Sequence, residues 1–257
     1  MMKTALKIGS VLLFALVSPS AICQAPDAPE DDLLSGVRWS EKRLWEGRDK
    51  DSGAVHCLGN GRLCVYEQGP DILQVFGPPY SATTIGRMDL EGAGLSCVSQ
   101  RVWGAAVWRH EVSHDGAPVA VITDFVCDTL PALVRVVHAT SPVAFVYTSG
   151  PEFRLAAYQS PEMERLGAGG GLLVETPIGM PLVPFGRYPL PYAVFNHLAW
   201  KGTARAEQTD GALHLSCGPG KTIVYIAGGP ELETCLRYME AVLAAAPGVL
   251  LRETLSA

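Results

Sequence analysis

The 257-residue sequence contains no Cys-x-x-Cys pair, which removes the usual frame of a structural zinc site. It has no Gly-x-Ser-x-Gly nucleophile elbow. Beyond the N-terminus no apolar run is long enough to cross a bilayer as a helix, so no integral membrane segment is expected in the mature chain. Positive charge is in deficit, with 20 Lys and Arg against 26 Asp and Glu and a formal net charge of −6. That balance argues against a nucleic-acid partner, which favours a basic patch. Gly218-Pro219-Gly220-Lys221-Thr222 imitates the end of a phosphate-binding loop, but the required leading glycine falls on Leu215 and a strand-like run, Ile223–Ala227, follows. Without a helix N-terminus there is no phosphate cradle, and the segment reads as a hairpin turn. Gly167-Ala168-Gly169-Gly170-Gly171 has no strand–helix frame either and reads as a mobile loop. No cofactor is expected.

The N-terminus carries Lys3 and Lys7 and then a short apolar stretch, Ile8–Val17, broken by Ser18-Pro19-Ser20. This is the pattern of a secretory leader over residues 1–24, and an exported protein, periplasmic or extracellular, is expected. Six cysteines follow it: Cys57, Cys64, Cys97, Cys127, Cys217 and Cys235. Export permits disulfides, but sequence cannot choose among the pairings, and the apolar settings of most of these residues suit buried thiols.

After a Pro- and acid-rich leader or linker over 25–54, with a short helix expected within Leu33–Trp45 around Trp39, Arg43 and Leu44, the chain reads as β structure from Val55 to Gly228. Runs rich in Val, Ile, Leu and aromatics alternate with Gly, Pro and Asp turns, as in a large antiparallel sandwich. Asn60-Gly61, Asp115-Gly116 and Asp210-Gly211 read as hairpin turns; Asn-Gly is the strongest such signal, because both residues tolerate positive φ. Five prolines between 177 and 191 predict a long ordered loop. From 229 to 257 the pattern becomes helical, with Leu232, Cys235, Leu236, Met239, Val242 and Leu243 on one stripe. Pro247-Gly248 stops this linker helix, and the remaining residues begin something and break off, as in a fragment of a longer chain. The fold expectation is therefore all-β, a super-sandwich followed by a C-terminal linker helix.

His110-Glu111-Val112-Ser113-His114 matches His-Glu-x-x-His. On a helix the two histidines share a face and ligate zinc, with the glutamate as general base, so a zinc metalloprotease is one alternative. On a strand, residues four apart are about 13 Å apart, too far for one ion. The adjoining Asp115-Gly116 turn and the alternation of Trp108, His110 and Val112 with Arg109, Glu111 and Ser113 favour the strand, so no metal is expected here. The carboxylates Asp124, Asp128, Glu152, Glu162 and Glu164 are available for glycosidic chemistry, but none has a setting that marks it as a raised-pKa acid.

Gly59-Asn60-Gly61-Arg62-Leu63, a following meander and Gly77-Pro78-Pro79-Tyr80-Ser81 resemble the N-terminal super-sandwich of six-hairpin, (α/α)6-barrel glycoside hydrolases. The run Ser113-His114-Asp115-Gly116, then Asp124 and Pro131–Val136, and the closing Tyr225-Ile226-Ala227-Gly228-Gly229 are similar too. Cys64 departs from the small residue usual after such a turn. The resemblance implies a non-catalytic domain supporting a helical-barrel catalytic domain that lies outside this chain. It implies no catalytic residue, carbohydrate as the partner, and Tyr80, Arg87 and Tyr188 as candidates for sugar or domain contact. The other alternative is a free-standing carbohydrate-binding sandwich.

Overall fold

The computed structural model describes residues 30–46, 55–77, 86–148, 154–178, 192–209 and 211–257. The described residues form 14 strands and four helices: α1 (Glu30–Leu34), β1 (Arg43–Glu46), β2 (His56–Gly59), β3 (Cys64–Gln68), β4 (Asp71–Phe76), β5 (Arg87–Glu91), β6 (Leu95–Arg101), β7 (Val107–His114), β8 (Ala117–Val126), β9 (Ala132–Ala139), β10 (Val143–Thr148), β11 (Arg154–Ala157), α2 (Pro161–Arg165), β12 (Gly170–Ile178), β13 (Tyr192–Thr209), β14 (Ala212–Gly229), α3 (Leu232–Ala244) and α4 (Pro247–Ser256). All strand pairs are antiparallel, and one sheet runs β1-β6-β7-β8-β9-β14-β10-β5-β4-β3-β2, with β11, β12 and β13 branching from β14. The fold is all-β with a C-terminal helical segment, as expected.

The sheet curls so that its two ends face each other. Inward residues of β2–β5, such as Leu58, Val65, Val75 and Met88, share one core with inward residues of β6–β9, such as Cys97, Val112, Ile122 and Val137. A second core lies on the outer side of β7–β9, β13 and β14, where Phe125, Val134 and Tyr225 meet Met239, Val242, Leu243 and Leu251 of the two last helices. Each fully buried aliphatic side chain of that stripe stabilises by about 1.5–3 kcal/mol, which holds α3 on the sheet. The apolar stripe expected on a linker helix is thus spent on the sandwich itself, except at Leu232, which is exposed.

Several expectations need correction. Of the helix expected within Leu33–Trp45 around Trp39, Arg43 and Leu44, helical structure is confined to α1, which ends at Leu34; Trp39 bridges Val102, and Arg43–Glu46 form β1, pairing with β6 through Arg43↔Ser99 to Glu46↔Ser96. The Gly-Pro-Gly-Lys segment is no hairpin: β14 runs unbroken through it and there changes partner from β10 (Val143↔Cys217) to β9 (Gly220↔Ala139). Pro219 falls between those two ladders, where its missing N–H costs neither a bond. The glycine run at 167–171 ends as the start of β12, with Gly170 opposite Trp200. A Cβ on Gly170 would lie 2.3 Å from the Trp200 ring, so glycine there makes room for an indole and not for motion. The linker helix α3 ends at Ala244, just before Pro247-Gly248 as expected, and that pair itself opens α4 at a bend of 102° from α3. No single described helix is long and apolar enough to cross a membrane. Asp115 and Gly116 form the expected turn, both with positive φ (48° and 80°). Asp210 and most of the proline-rich segment, residues 179–191, lie outside the described residues, as does the leader.

The Asn60-Gly61 turn also differs from its expectation. It is a four-residue loop in which Gly61 has positive φ (78°) and Asn60 does not. The Asn60 side chain explains why. Its Oδ1 accepts from the backbone N–H groups of Arg62 and Leu63, both at 2.9 Å, and its Nδ2 donates to the carbonyls of Cys127 (2.6 Å) and Leu130 (2.8 Å) in the β8–β9 turn. Arg62 Nη1 reinforces this by donating to Thr129 O at 3.0 Å. The turn therefore clamps one half of the curled sheet to the other. Asn60→Ala is expected to cost about 2 kcal/mol, several net hydrogen bonds at ~0.5–1.5 kcal/mol each, read as a lower urea midpoint at unchanged slope.

Cys97, Cys127, Cys217 and Cys235 are buried free thiols, and burial pushes the Cys97, Cys127 and Cys235 thiols up to about 12. Cys57 and Cys64 are different: they sit on the outer face of the β2–β3 hairpin with sulfurs 3.2 Å apart. Incubation with oxidised glutathione is expected to remove both thiols and two hydrogens of mass, and Cys64→Ser to abolish that loss without affecting the other four.

Candidate functional site: a polar cluster inside the sandwich

Strand alternation, with the curl of the sheet, brings inward side chains of β7, β8 and β9 and of the distant β3 into one place. On β7, Trp108, His110 and Val112 point in; on β8, Ile122, Asp124 and Val126; on β9, Leu133, Arg135 and Val137; on β3, Val65 and Glu67. In each strand a charged or polar residue occupies a position that alternation assigns to the core. Glu67, His110 and Asp124 are fully buried and Arg135 is 1 % exposed.

The cluster is built around one ion pair. Arg135 donates from Nε to Asp124 Oδ1 (2.8 Å) and from Nη2 to Asp124 Oδ2 (2.6 Å), and Nη2 also donates to Pro70 O (2.8 Å). Pro70 lies in the β3–β4 turn, so the guanidinium spans the two facing halves of the sheet. Its face lies 5.2 Å from the Phe145 ring centroid. Burial alone raises the Asp124 pKa, but the attraction of Arg135 outweighs it and holds the carboxyl below the usual carboxylate range. Asp71 closes the same region by accepting from Leu90 N at 2.8 Å.

His110 and Glu67 complete it. His110 Nδ1 bonds to Ser99 Oγ (2.7 Å), which turns Nε2 toward Asp124 Oδ2 (3.4 Å) and Glu67 Oε2 (3.9 Å). His56 enters from β2, stacked on Trp108 with ring centroids 3.6 Å apart, and its Nε2 is 3.3 Å from Glu67 Oε2. Burial, reinforced by the negative charge of Asp124, pushes Glu67 far above the carboxylate range. Among the described residues neither Glu67 oxygen has a hydrogen-bond partner.

The His-Glu-x-x-His string lies on β7, a strand and not the helix a metalloprotease requires. Its members part company there: His110 is sealed in the core, while Glu111 and His114 face solvent. Glu111 lies 3.8 Å from Arg109 Nε and lines a shallow outer cleft of about 350 Å³ with Trp39, Gln100 and Arg109. Arg87, on β5, is half-buried and its guanidinium is engaged by Asp89 of the same strand (2.8 Å). Tyr80 and Tyr188 lie outside the described residues, as does Glu152. Of the other carboxylates considered from sequence, Glu162 pairs with Arg165 on the surface and Asp124 belongs to the buried cluster. His56 and Glu67 were not singled out by sequence. The signal for Glu67 was present: it follows Leu63 and Val65 at strand spacing, where an apolar residue is due.

No family model matches the chain. No curated protein matches it either. Among solved structures, a mutant glycoside hydrolase family 81 enzyme from Clostridium thermocellum is weakly similar, at 13% identity and a TM-score of 0.24, over 79% of this chain. The match spans 28% of that enzyme's chain, and a likeness at this level supports no assignment.

Proposed function

We propose that this chain is a non-catalytic sandwich domain of an exported glycoside hydrolase, supporting a helical-barrel catalytic domain. The observation that carries this reading is the asymmetry of the two outer faces. On β7–β9, β13 and β14 the outer face is covered by α3 and α4. On β2–β5 and β10 the outward residues of facing strands, Cys57–Tyr66–Gln74, Cys64–Phe76, Arg87–Thr148 and Asp89–Val146, have no helix over them among the described residues. Tyr66 is exposed and meets Phe76 edge to face at 6.0 Å. An aromatic pair and an Arg–Asp pair on this outer side offer a stacking surface and fixed polar groups, which suits a partner domain or a sugar. The clustered polar groups Glu67, His110, Asp124 and Arg135 are meanwhile buried inside the sandwich.

Isothermal titration with xylo-, cello- and laminari-oligosaccharides separates the two carbohydrate readings. A supporting domain gives no saturable heat with any of them. Saturable heat that disappears in Tyr66→Ala/Phe76→Ala replaces it with the free-standing carbohydrate-binding module.

A further inference from the structure

We propose that His56, Glu67 and His110 form a binding site for a divalent first-row metal ion of the zinc class, which clasps the β2–β3 hairpin to β7 inside the sandwich. One ligand atom from each residue lies within 4.8 Å of the other two. Two ligand atoms bound to one tetrahedral zinc at ~2.0–2.1 Å stand about 3.4 Å apart. The His56 Nε2–Glu67 Oε2 and His110 Nε2–Glu67 Oε2 separations of 3.3 and 3.9 Å already bracket that value. Two imidazoles and a carboxylate are the borderline nitrogen and oxygen set that zinc and its neighbours prefer.

Three further features point to an ion. Glu67 is fully buried, and among the described residues neither carboxylate oxygen accepts a hydrogen bond, an arrangement that is costly unless something else meets those oxygens. His110 bonds Ser99 through Nδ1, and its Nε2 faces both carboxylates, 3.4 Å from Asp124 Oδ2 and 3.9 Å from Glu67 Oε2. A metal-bound histidine is oriented in this way, by a polar group on the nitrogen that does not bind the ion. Charge agrees: an ion that displaces the Glu67 proton leaves Glu67, Asp71 and Asp124 against one positive charge on Arg135, an excess that a dication neutralises. The site is sealed from substrate, so the ion is structural, joining the two halves of the curled sheet.

Cobalt(II) is the direct probe, added alone to the purified full chain. One Co2+ per chain is expected, with the visible absorption of a four-coordinate nitrogen and oxygen site, and displacement by one equivalent of Zn2+. Zinc is also expected to raise the melting temperature. Glu67→Gln keeps the shape of a protonated glutamate, so it is expected to fold, shown by an unchanged circular dichroism spectrum, and to lose the cobalt absorption. Folded wild-type protein with no stoichiometric Co2+ or Zn2+ overturns the proposal. So does an undiminished spectrum in Glu67→Gln, or a thiolate charge-transfer band that vanishes in Cys64→Ser, because either places the ion elsewhere.

Discussion

Asp124→Ala is expected to destabilise the domain by about 3–5 kcal/mol, the cost of leaving one partner of a buried ion pair without the other. Arg135 is 1 % exposed and gives Asp124 two short hydrogen bonds. Once Asp124 is gone, a full positive charge remains in the core, still donating to Pro70 O. Its pKa is so high that it cannot shed its proton to escape. For a domain of this size the loss lowers the melting temperature by roughly 10 °C. Two comparisons make the result specific. Asp124→Asn retains an acceptor for one Arg135 N–H and is expected to lose less. Replacing both partners, with Asp124→Leu and Arg135→Met, removes the stranded charge and is expected to recover much of the loss. Equal losses in Asp124→Ala and the double variant would show that the pair's charge is not what matters.

The second large effect is on pH dependence and centres on His197. This residue lies on β13, is fully buried, and among the described residues neither ring nitrogen has a hydrogen-bond partner. Its surroundings are Tyr158, edge-on at 5.4 Å, and Gly171, where a Cβ would come within 3.1 Å of His197 Nε2. The Cys235 thiol donates to the neighbouring backbone carbonyls of Phe195 and Ala227. Burial pushes the His197 imidazolium pKa down to about 4. The sign follows from linkage. The unfolded chain takes up a proton near pH 6.5 and the folded protein only near 4, so the unfolded state binds more protons between those values. Stability from this group is complete above pH 6.5 and is lost as the pH falls toward 4. The fall from 6.5 to about 4 corresponds to roughly 3 kcal/mol across that window. Other groups titrate over the same range, so the measured quantity is the difference between wild type and His197→Leu. Urea midpoints at pH 7 and pH 4.5 are expected to diverge, with the variant losing less on acidification. Parallel acid limbs for the two proteins would contradict the account.

Much of the sandwich was legible because strand alternation and turn chemistry are local. Trp108, His110 and Val112 alternate with Arg109, Glu111 and Ser113, and the structure buries the first set on β7. Asp115-Gly116 forms the expected turn because both residue types tolerate the positive φ it requires. The errors arose where long-range pairing decides. Gly218–Thr222 has every local mark of a turn, yet two different neighbours, β10 and β9, keep β14 continuous through it. Arg43–Glu46 is a strand because β6 has a free edge for it, which no property of those four residues announces. Asn60 was read as a turn former, but its main work is to hold the distant β8–β9 turn. The polar cluster was half visible. His110, Asp124 and Arg135 each stand at an inward position of an apolar strand, but only the curl of the sheet brings Glu67 and His56 across to them.

The proposed supporting role rests in part on that burial, and one measurement tests it directly. The purified chain is incubated with xylan, β-1,3-glucan, β-1,4-glucan and mannan, and the reducing ends released are counted over a day. The account predicts no release above buffer for wild type or for Glu67→Gln. Turnover by the wild-type chain that is lost in a folded Glu67→Gln variant would contradict it, because it would put chemistry at a group this fold has closed away from substrate.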